Sequence, residues 1–230
     1  IGLTCCMLIA LYLYNELSYD SHHKNANSVF QLGTTFVKEG KEDRTANTPA
    51  PMAKTMQMEF PEIEKATRLV KTFSDDKTLF QYGQEGGNIN SFFESKGFIA
   101  DSTFFQVLTY QFKEGDPQTA LTKPNSVVIC DEIAKKIFGK ESAINKLIHI
   151  SSSTFGDADF NVSGVFVPSS TPSHIDARFI MSAGSGNSRA FFDRPNDLAS
   201  NNMFYTYFLL KPGTDAKKLE SKFPGFIEKH

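Results

Sequence analysis

Residues 48–73, TPAPMAKTMQMEFPEIEKATRLVKTF, decide the fold class of this chain. Their apolar side chains recur every three or four residues and so predict a helix that ends near Phe60, where Pro61 follows. Thr48 and Pro49 are typical of a helix start, since a hydroxyl can cap the first turn and proline needs no amide partner there. The run RLVKTF that closes the stretch predicts a strand, which makes a compact α/β unit with the helix.

Further strands and helices are predicted on both sides of this stretch. A strand is predicted over residues 28–37 (SVFQLGTTFV), and the strongest strand pattern of the chain is FYTYFLL at residues 204–210. Asp215 then begins a helix, so a second strand–helix unit closes the sequence. The middle is predicted to hold a hairpin with its tip at Gly86-Gly87, a short helix capped by Asp101-Ser102, a buried strand at 126–130, a helix from Asp131 to Gly139, and strands at 147–150, 160–167 and 176–182.

Composition excludes several classes of protein. The 230 residues carry 24 basic and 26 acidic side chains in an interspersed pattern, and a chain without a basic stripe has little to attract nucleic acid. Three cysteines are too few for a disulfide framework. The 22 phenylalanines, with no tryptophan, predict an aromatic core built mainly from Phe.

Residues 1–14, IGLTCCMLIALYLY, carry no charge. As a helix they would cover about 21 Å, against roughly 30 Å for the hydrocarbon core of a bilayer. We expect this segment to be the C-terminal part of a membrane helix that carries a polar domain. The alternatives are a signal peptide and a buried helix of a cytosolic protein.

The flanking residues predict which side of the membrane holds the domain. Glu16 and Asp20 come before the first basic residue, Lys24, whereas cytoplasmic flanks are enriched in Lys and Arg. We therefore expect the domain on the translocated face. Three tyrosines are predicted to lie at the membrane interface: Tyr12, Tyr14 and Tyr19.

No catalytic, cofactor or metal site is expected. His22 and His23 lie near Asp20, but adjacent histidines on a helix point apart, so a solvated face is the simpler interpretation. The acid pairs Asp75-Asp76 and Asp157/Asp159 are interpreted as loop solvation. His174 is expected to stabilise a turn by a hydrogen bond, and Phe92, Phe93 and Phe98 to be core rather than an exposed interaction tip. The sequence contains neither a phosphate-binding loop nor a nucleophile elbow.

Four longer strings carry a family resemblance. They are LYLYNELSYDSHHKNANSVFQL after the apolar run, TPAPMAKTMQMEFPEIEKATRL, and the middle strings FIADSTFFQVLTYQFKEGDPQTALTKPNSVVICDEIAKKIFG and FNVSGVFVPSSTPSHIDARFIMS. In this order, and over essentially the whole chain, they resemble the periplasmic core domain of MacB/FtsX-type ABC transporter permeases.

The resemblance implies an α+β fold in which a porter-like α/β lobe (residues 15–74 and 172–230) is interrupted by an inserted, Sabre-like α+β lobe (residues 75–171), after the end of a transmembrane helix. It implies a non-enzymatic domain on the periplasmic side of the inner membrane. Its partners would be a cytoplasmic ABC ATPase, a second permease copy and a periplasmic adaptor or substrate protein. ATP hydrolysis would move the lobes through the membrane helices. The alternative function is a ligand-sensing domain of a membrane receptor kinase.

Overall fold

The structure, a computed structural model, describes residues 2–72, 77–83, 89–152, 156–193, 198 and 202–230. Its helices are α1 (Gly2–Leu17), α2 (Met52–Glu59), α3 (Phe104–Val107), α4 (Asp131–Phe138), α5 (Ser188–Phe192), α6 (Ala216–Glu220) and α7 (Phe223–Lys229). Its strands are β1 (Val29–Gln31), β2 (Thr34–Lys38), β3 (Lys41–Thr45), β4 (Asn47–Thr48), β5 (Ile63–Lys71), β6 (Thr78–Tyr82), β7 (Asn90–Glu94), β8 (Gly97–Ala100), β9 (Gln111–Gly115), β10 (Ser126–Cys130), β11 (Leu147–Ser152), β12 (Gly156–Val167), β13 (Phe179–Ser182) and β14 (Phe204–Leu210).

Within this described part, twelve strands form one mixed sheet in the order β1-β14-β5-β8-β13-β10-β12-β11-β6-β7, with β4 on β14 and β9 on β12. The β8–β13 and β10–β12 pairs are parallel, and β13 lies antiparallel to β10. The separate β2–β3 hairpin divides the single strand predicted over residues 28–37. The predicted α+β class is confirmed. The division into two lobes stays a prediction, and strands from both of its parts alternate at the centre of the sheet.

Most predicted elements are present at their predicted positions. The β6–β7 hairpin is confirmed, although its predicted tip at Gly86-Gly87 lies outside the described residues. The strand at 126–130 is buried throughout, and α4 ends at Gly139, whose φ of +65° suits a glycine. The Asp215 side chain accepts hydrogen bonds from the Lys217 and Lys218 amides, as a cap should.

The start of α2 was predicted wrongly. Thr48 lies in β4, where its buried hydroxyl donates to the Phe204 carbonyl at 3.1 Å and pairs with the Thr206 hydroxyl at 2.7 Å. The Thr48 side chain, which the local sequence pattern predicted to cap α2, thus bonds to the distant strand β14 instead. The predicted apolar stripe is confirmed, because Met52, Met56 and Phe60 are all buried in a cluster with residues of β14, α6 and α7.

Arg68 joins four parts of the fold. Its Nε and Nη2 atoms donate to the two carboxylate oxygens of Asp101 at 2.9 Å each. Its Nη1 donates to the carbonyls of Ala50 before α2 and Phe192 in α5, at 2.6 and 2.7 Å. The predicted Asp101 side-chain cap of α3 is therefore wrong, since that carboxylate is engaged by Arg68 and only the Asp101 carbonyl accepts from Phe104.

Helix α1 confirms that the apolar run is helical, but most of its apolar side chains are solvent-exposed rather than buried in a core. Within the described residues, neither hydrophobic core cluster includes a side chain of this helix. Measured against a bilayer, none of the helices in the described ranges combines the length and the apolar content needed to cross it.

Candidate functional site

The chain leaves α1 through a bend that is fastened to a distant loop. Asp20, in this bend, has a φ of +54°, a left-handed conformation that aspartate tolerates better than most residues. Its amide donates to the Pro172 carbonyl at 3.0 Å. We call this region the α1 joint, defined as residues 19–24 together with residues 171–174 and Thr109.

The Asp20 carboxylate is the centre of the α1 joint. Its Oδ1 accepts from the Ser173 hydroxyl at 2.6 Å and from the His174 amide at 3.3 Å, and its Oδ2 pairs with the His174 imidazole. Burial alone would raise the pKa of Asp20, but the bonds from Ser173 and His174 outweigh it and hold the pKa below its usual value. The carboxylate is therefore ionised, and an ionised acceptor strengthens the hydrogen bonds that it receives from the loop.

The two histidines extend the joint to a second segment. The expectation that they point apart on a helix is wrong, because they lie in the bend after α1 and their ring centroids are 4.1 Å apart. The Nδ1 atom of His22 is 3.1 Å from the Thr171 hydroxyl. The Nδ1 atom of His23 accepts the Thr109 amide at 3.0 Å, and the Lys24 amide donates to the Thr109 hydroxyl at 3.1 Å.

The bond between Thr109 and His23 fixes the protonation of the ring. A backbone amide can only donate, so Nδ1 of His23 carries no proton and the neutral ring keeps its proton on Nε2. Burial, with the adjacent His22, lowers the pKa of His23, which keeps the ring neutral.

The same geometry tests whether the joint suits a metal ion. Potential ligand atoms of Asp20, His22 and His23 lie within 4.8 Å of one another. A neutral histidine that binds a metal through Nε2 holds its proton on Nδ1, where it donates to a partner. Nδ1 of His23 instead accepts a hydrogen bond from the Thr109 amide, so in this arrangement the orientation of His23 suits a hydrogen bond within the fold rather than a metal.

A cleft of about 1060 Å³ opens beside the joint. Its floor includes Phe166 and Val167, and its rim includes Lys24 and Asp176. Four hydroxyl-bearing residues of its lining come from the loop after β12, namely Ser169, Ser170, Thr171 and Ser173, and three more are Tyr19, Thr109 and Tyr110. A second cleft of about 340 Å³ is lined by His174 and shares Ile175 and Asp176 with the first. The loop that receives Asp20 thus contributes to both clefts.

The structure separates the three tyrosines predicted at the membrane interface. Tyr12 and Tyr14 are exposed on α1, whereas Tyr19 lies in the joint with its ring centroid 5.0 Å from that of His174. The interface role of all three stays a prediction. Among the predicted core residues, Phe98 is buried and Phe92 packs against the core, but Phe93 is exposed.

Sequence reasoning found parts of the joint but not their association. His174 was expected to make a hydrogen bond, and it does, although its partner is 154 positions away rather than within its own turn. Of the acid pairs, Asp159 pairs with His149 on the β11–β12 hairpin, and Asp75-Asp76 lies outside the described residues. The hydroxyl-rich run 169–173 was the one local signal that this loop has polar partners.

Comparison with known proteins gives one family. The family model for the MacB-like periplasmic core domain matches residues 1–225. A domain of a putative permease protein from Porphyromonas gingivalis is similar in structure, with a TM-score of 0.68, 17% identity, and coverage of 90% of this chain and 83% of that one. The periplasmic region of MacB from Actinobacillus actinomycetemcomitans gives a TM-score of 0.52 at 14% identity, over 80% of this chain and 74% of that one. No curated protein shows significant similarity to the chain.

Proposed function

The chain belongs to the family of MacB-like periplasmic core domains, and from this premise we propose that it relays movement of its membrane helix, driven by cytoplasmic ATP hydrolysis, into the periplasm for export or extraction of a substrate. The observation that carries the proposal is the α1 joint. Asp20 binds three consecutive residues of one loop, Pro172, Ser173 and His174. A displacement of α1 therefore acts on that loop directly.

The loop that binds Asp20 connects two strands in the middle of the sheet. It follows β12 and precedes β13, and these two strands lie on either side of β10. Because protein interiors are close-packed, a displacement of buried strands is passed to their neighbours rather than absorbed. The joint would thus apply force to the centre of the sheet and not to an edge.

The partners in this proposal lie outside the chain. They are an ABC ATPase on the cytoplasmic side of the inner membrane, a second permease copy and a periplasmic adaptor or substrate protein. The two lobes, residues 15–74 with 172–230 and residues 75–171, are proposed as the parts that move. The α2 cluster draws its buried residues only from the first of them, whereas the larger core cluster draws on both.

The test separates movement from ATP hydrolysis. A spin label at Phe93→Cys, on the exposed edge strand β7, is placed in a permease whose Cys5 and Cys6 are replaced by serine, reconstituted with its ATPase in nanodiscs. The distance between labels of the two copies is measured with ADP and with ATP plus vanadate. We expect the nucleotide to change this distance, and the double variant Asp20→Ala/His174→Ala to abolish the change while ATP turnover continues.

The matched control is His149→Ala/Asp159→Ala, which removes an exposed carboxylate–imidazole pair on the β11–β12 hairpin. This variant should move as the parent does. A distance change that survives in the joint variant, or is lost equally in the control, would contradict the proposed route of force.

A further inference from the structure

His23 is the most enclosed titratable group of the α1 joint, with 7% of its surface exposed. Its Nδ1 atom holds the Thr109 amide, which begins the segment that leads into β9. Its Nε2 atom lies 3.9 Å from Oδ1 of Asp20, beyond hydrogen-bond distance. The ring therefore lies between two partners and binds only one of them.

The charged and titratable groups around this ring are few and come from three segments. From its own bend they are Asp20 and His22, and from the segment after α3 it is Tyr110, whose ring centroid is 6.5 Å away. The loop after β12 contributes His174, which reaches His23 only through Asp20. Burial holds the pKa of Tyr110 far above its usual value, so its phenol is neutral and does not compete.

We propose that the α1 joint is a proton-operated latch: protonation of His23 breaks its bond with the Thr109 amide and turns the ring towards Asp20. The imidazolium has a proton on both nitrogens, so its Nδ1 can no longer accept the amide. The same charge attracts the ring to the Asp20 carboxylate, which lies close to Nε2. Acid thus frees the Thr109 amide, although the Lys24 amide still donates to the Thr109 hydroxyl, while the loop at residues 172–174 stays bound to Asp20.

The pH window follows from the direction of the shifts. Burial and the neighbouring His22 place the pKa of His23 below the ordinary imidazole value of about 6.5. A group with a depressed pKa in the closed state stabilises that state fully above its open-state pKa and loses the contribution as pH falls below it. Asp20, whose pKa is also lowered, remains ionised through this window.

The latch is tested by NMR on the full chain in detergent micelles between pH 8 and 4.5. At pH 8 the imidazole nitrogen shifts of His23 should report a neutral ring with its proton on Nε2. Below about pH 6.5 the opening constant of the Thr109 amide, from hydrogen exchange corrected for intrinsic rate, should rise by up to tenfold per pH unit, because one proton is taken up on opening.

Two variants isolate the ring. His23→Asn keeps an acceptor oxygen close to the position of Nδ1 but cannot titrate, so its Thr109 exchange should lose the pH dependence. His149→Asn removes an exposed histidine of the β11–β12 hairpin and should leave that dependence intact. A proton on Nδ1 of wild-type His23 at pH 8 would overturn the proposal without relying on any variant. So would the same pH dependence of Thr109 exchange in wild type and His23→Asn.

The role of the latch in coupling rests on the proposed function, and the two can fail separately. If Thr109 exchange follows pH as expected but the nucleotide-driven distance change is the same at pH 7.5 and 5.5, the latch stands and its role in relaying force is refuted. If the distance change is absent at every pH while Thr109 still responds, the proposed function fails and the latch remains.

Discussion

Replacing Arg68 by methionine should destabilise the whole sheet, because this side chain joins β5 to Asp101, to the segment before α2 and to α5. The substitution removes a bidentate pair with Asp101 and two bonds to the carbonyls of Ala50 and Phe192. The Arg68 and Asp101 side chains are only 12% and 22% exposed, so water replaces the lost partners poorly. Breaking such a pair from one side costs about 3–5 kcal/mol. For a chain of this size the melting temperature should fall by roughly 6–20 °C.

The assay is urea unfolding followed by circular dichroism, with thermal melting as a second measure. Arg44→Met is the matched control, because Arg44 pairs with Glu42 where both side chains are mostly exposed, and such a pair contributes at most about 1 kcal/mol. The double variant Arg68→Met/Asp101→Asn should recover part of the loss, since it leaves no unpaired charge. A loss below about 1 kcal/mol for Arg68→Met, or one equal to that of Arg44→Met, would refute the reasoning.

Three further substitutions probe separate contacts by the same unfolding assay. Gly97→Ala should cost about 1–3 kcal/mol or more, since an added Cβ would lie 2.2 Å from the ring of buried Phe179; unchanged stability would show that this ring can move aside. Asp215→Ala removes the cap of α6 and should cost about 0.5–2 kcal/mol, and a neutral result would mean that packing alone holds the helix. Thr48→Val should cost about 1–3 kcal/mol by leaving the buried Thr206 hydroxyl unpaired, whereas an increase in stability would assign that position to packing.

Most helices and strands of this fold could be predicted from the sequence because neighbouring residues determine where they form and end. The run SVVIC is apolar on both faces and became a strand buried on both faces. Asp215 caps a helix because its bonding partners are the amides two and three residues later. Gly139 follows the last residue of α4 with a positive φ, and the need for such a conformation depends only on the last turn of that helix.

Two of the errors share one physical cause, which is competition from distant partners. Thr48 and Asp101 both have the chemistry of a cap, and in both cases a group far along the chain offers a buried hydrogen bond instead. A polar side chain forms the hydrogen bonds that satisfy it best, and the spacing of residues in the sequence does not show that Phe204 or Arg68 will lie nearby. The strand order also depends on distant contacts, since β13 lies between β8 and β10, which come much earlier in the sequence.

The joint shows why a mechanical site is harder to identify from sequence than a catalytic one. Catalysis needs reactive groups in a recurring arrangement, whereas a relay of force needs only that two segments be fastened firmly, which Asp, Ser, His and Thr do throughout protein loops. What marks this site is position: Asp20 follows an exposed apolar helix, and its partners come directly before a strand at the centre of the sheet. If force passes through this connection, the edge hairpin β6–β7, which is last in the strand order, should move with the sheet rather than separately from it. Exposed Phe93 on that hairpin is therefore a suitable place both to detect the movement and to present it to a partner.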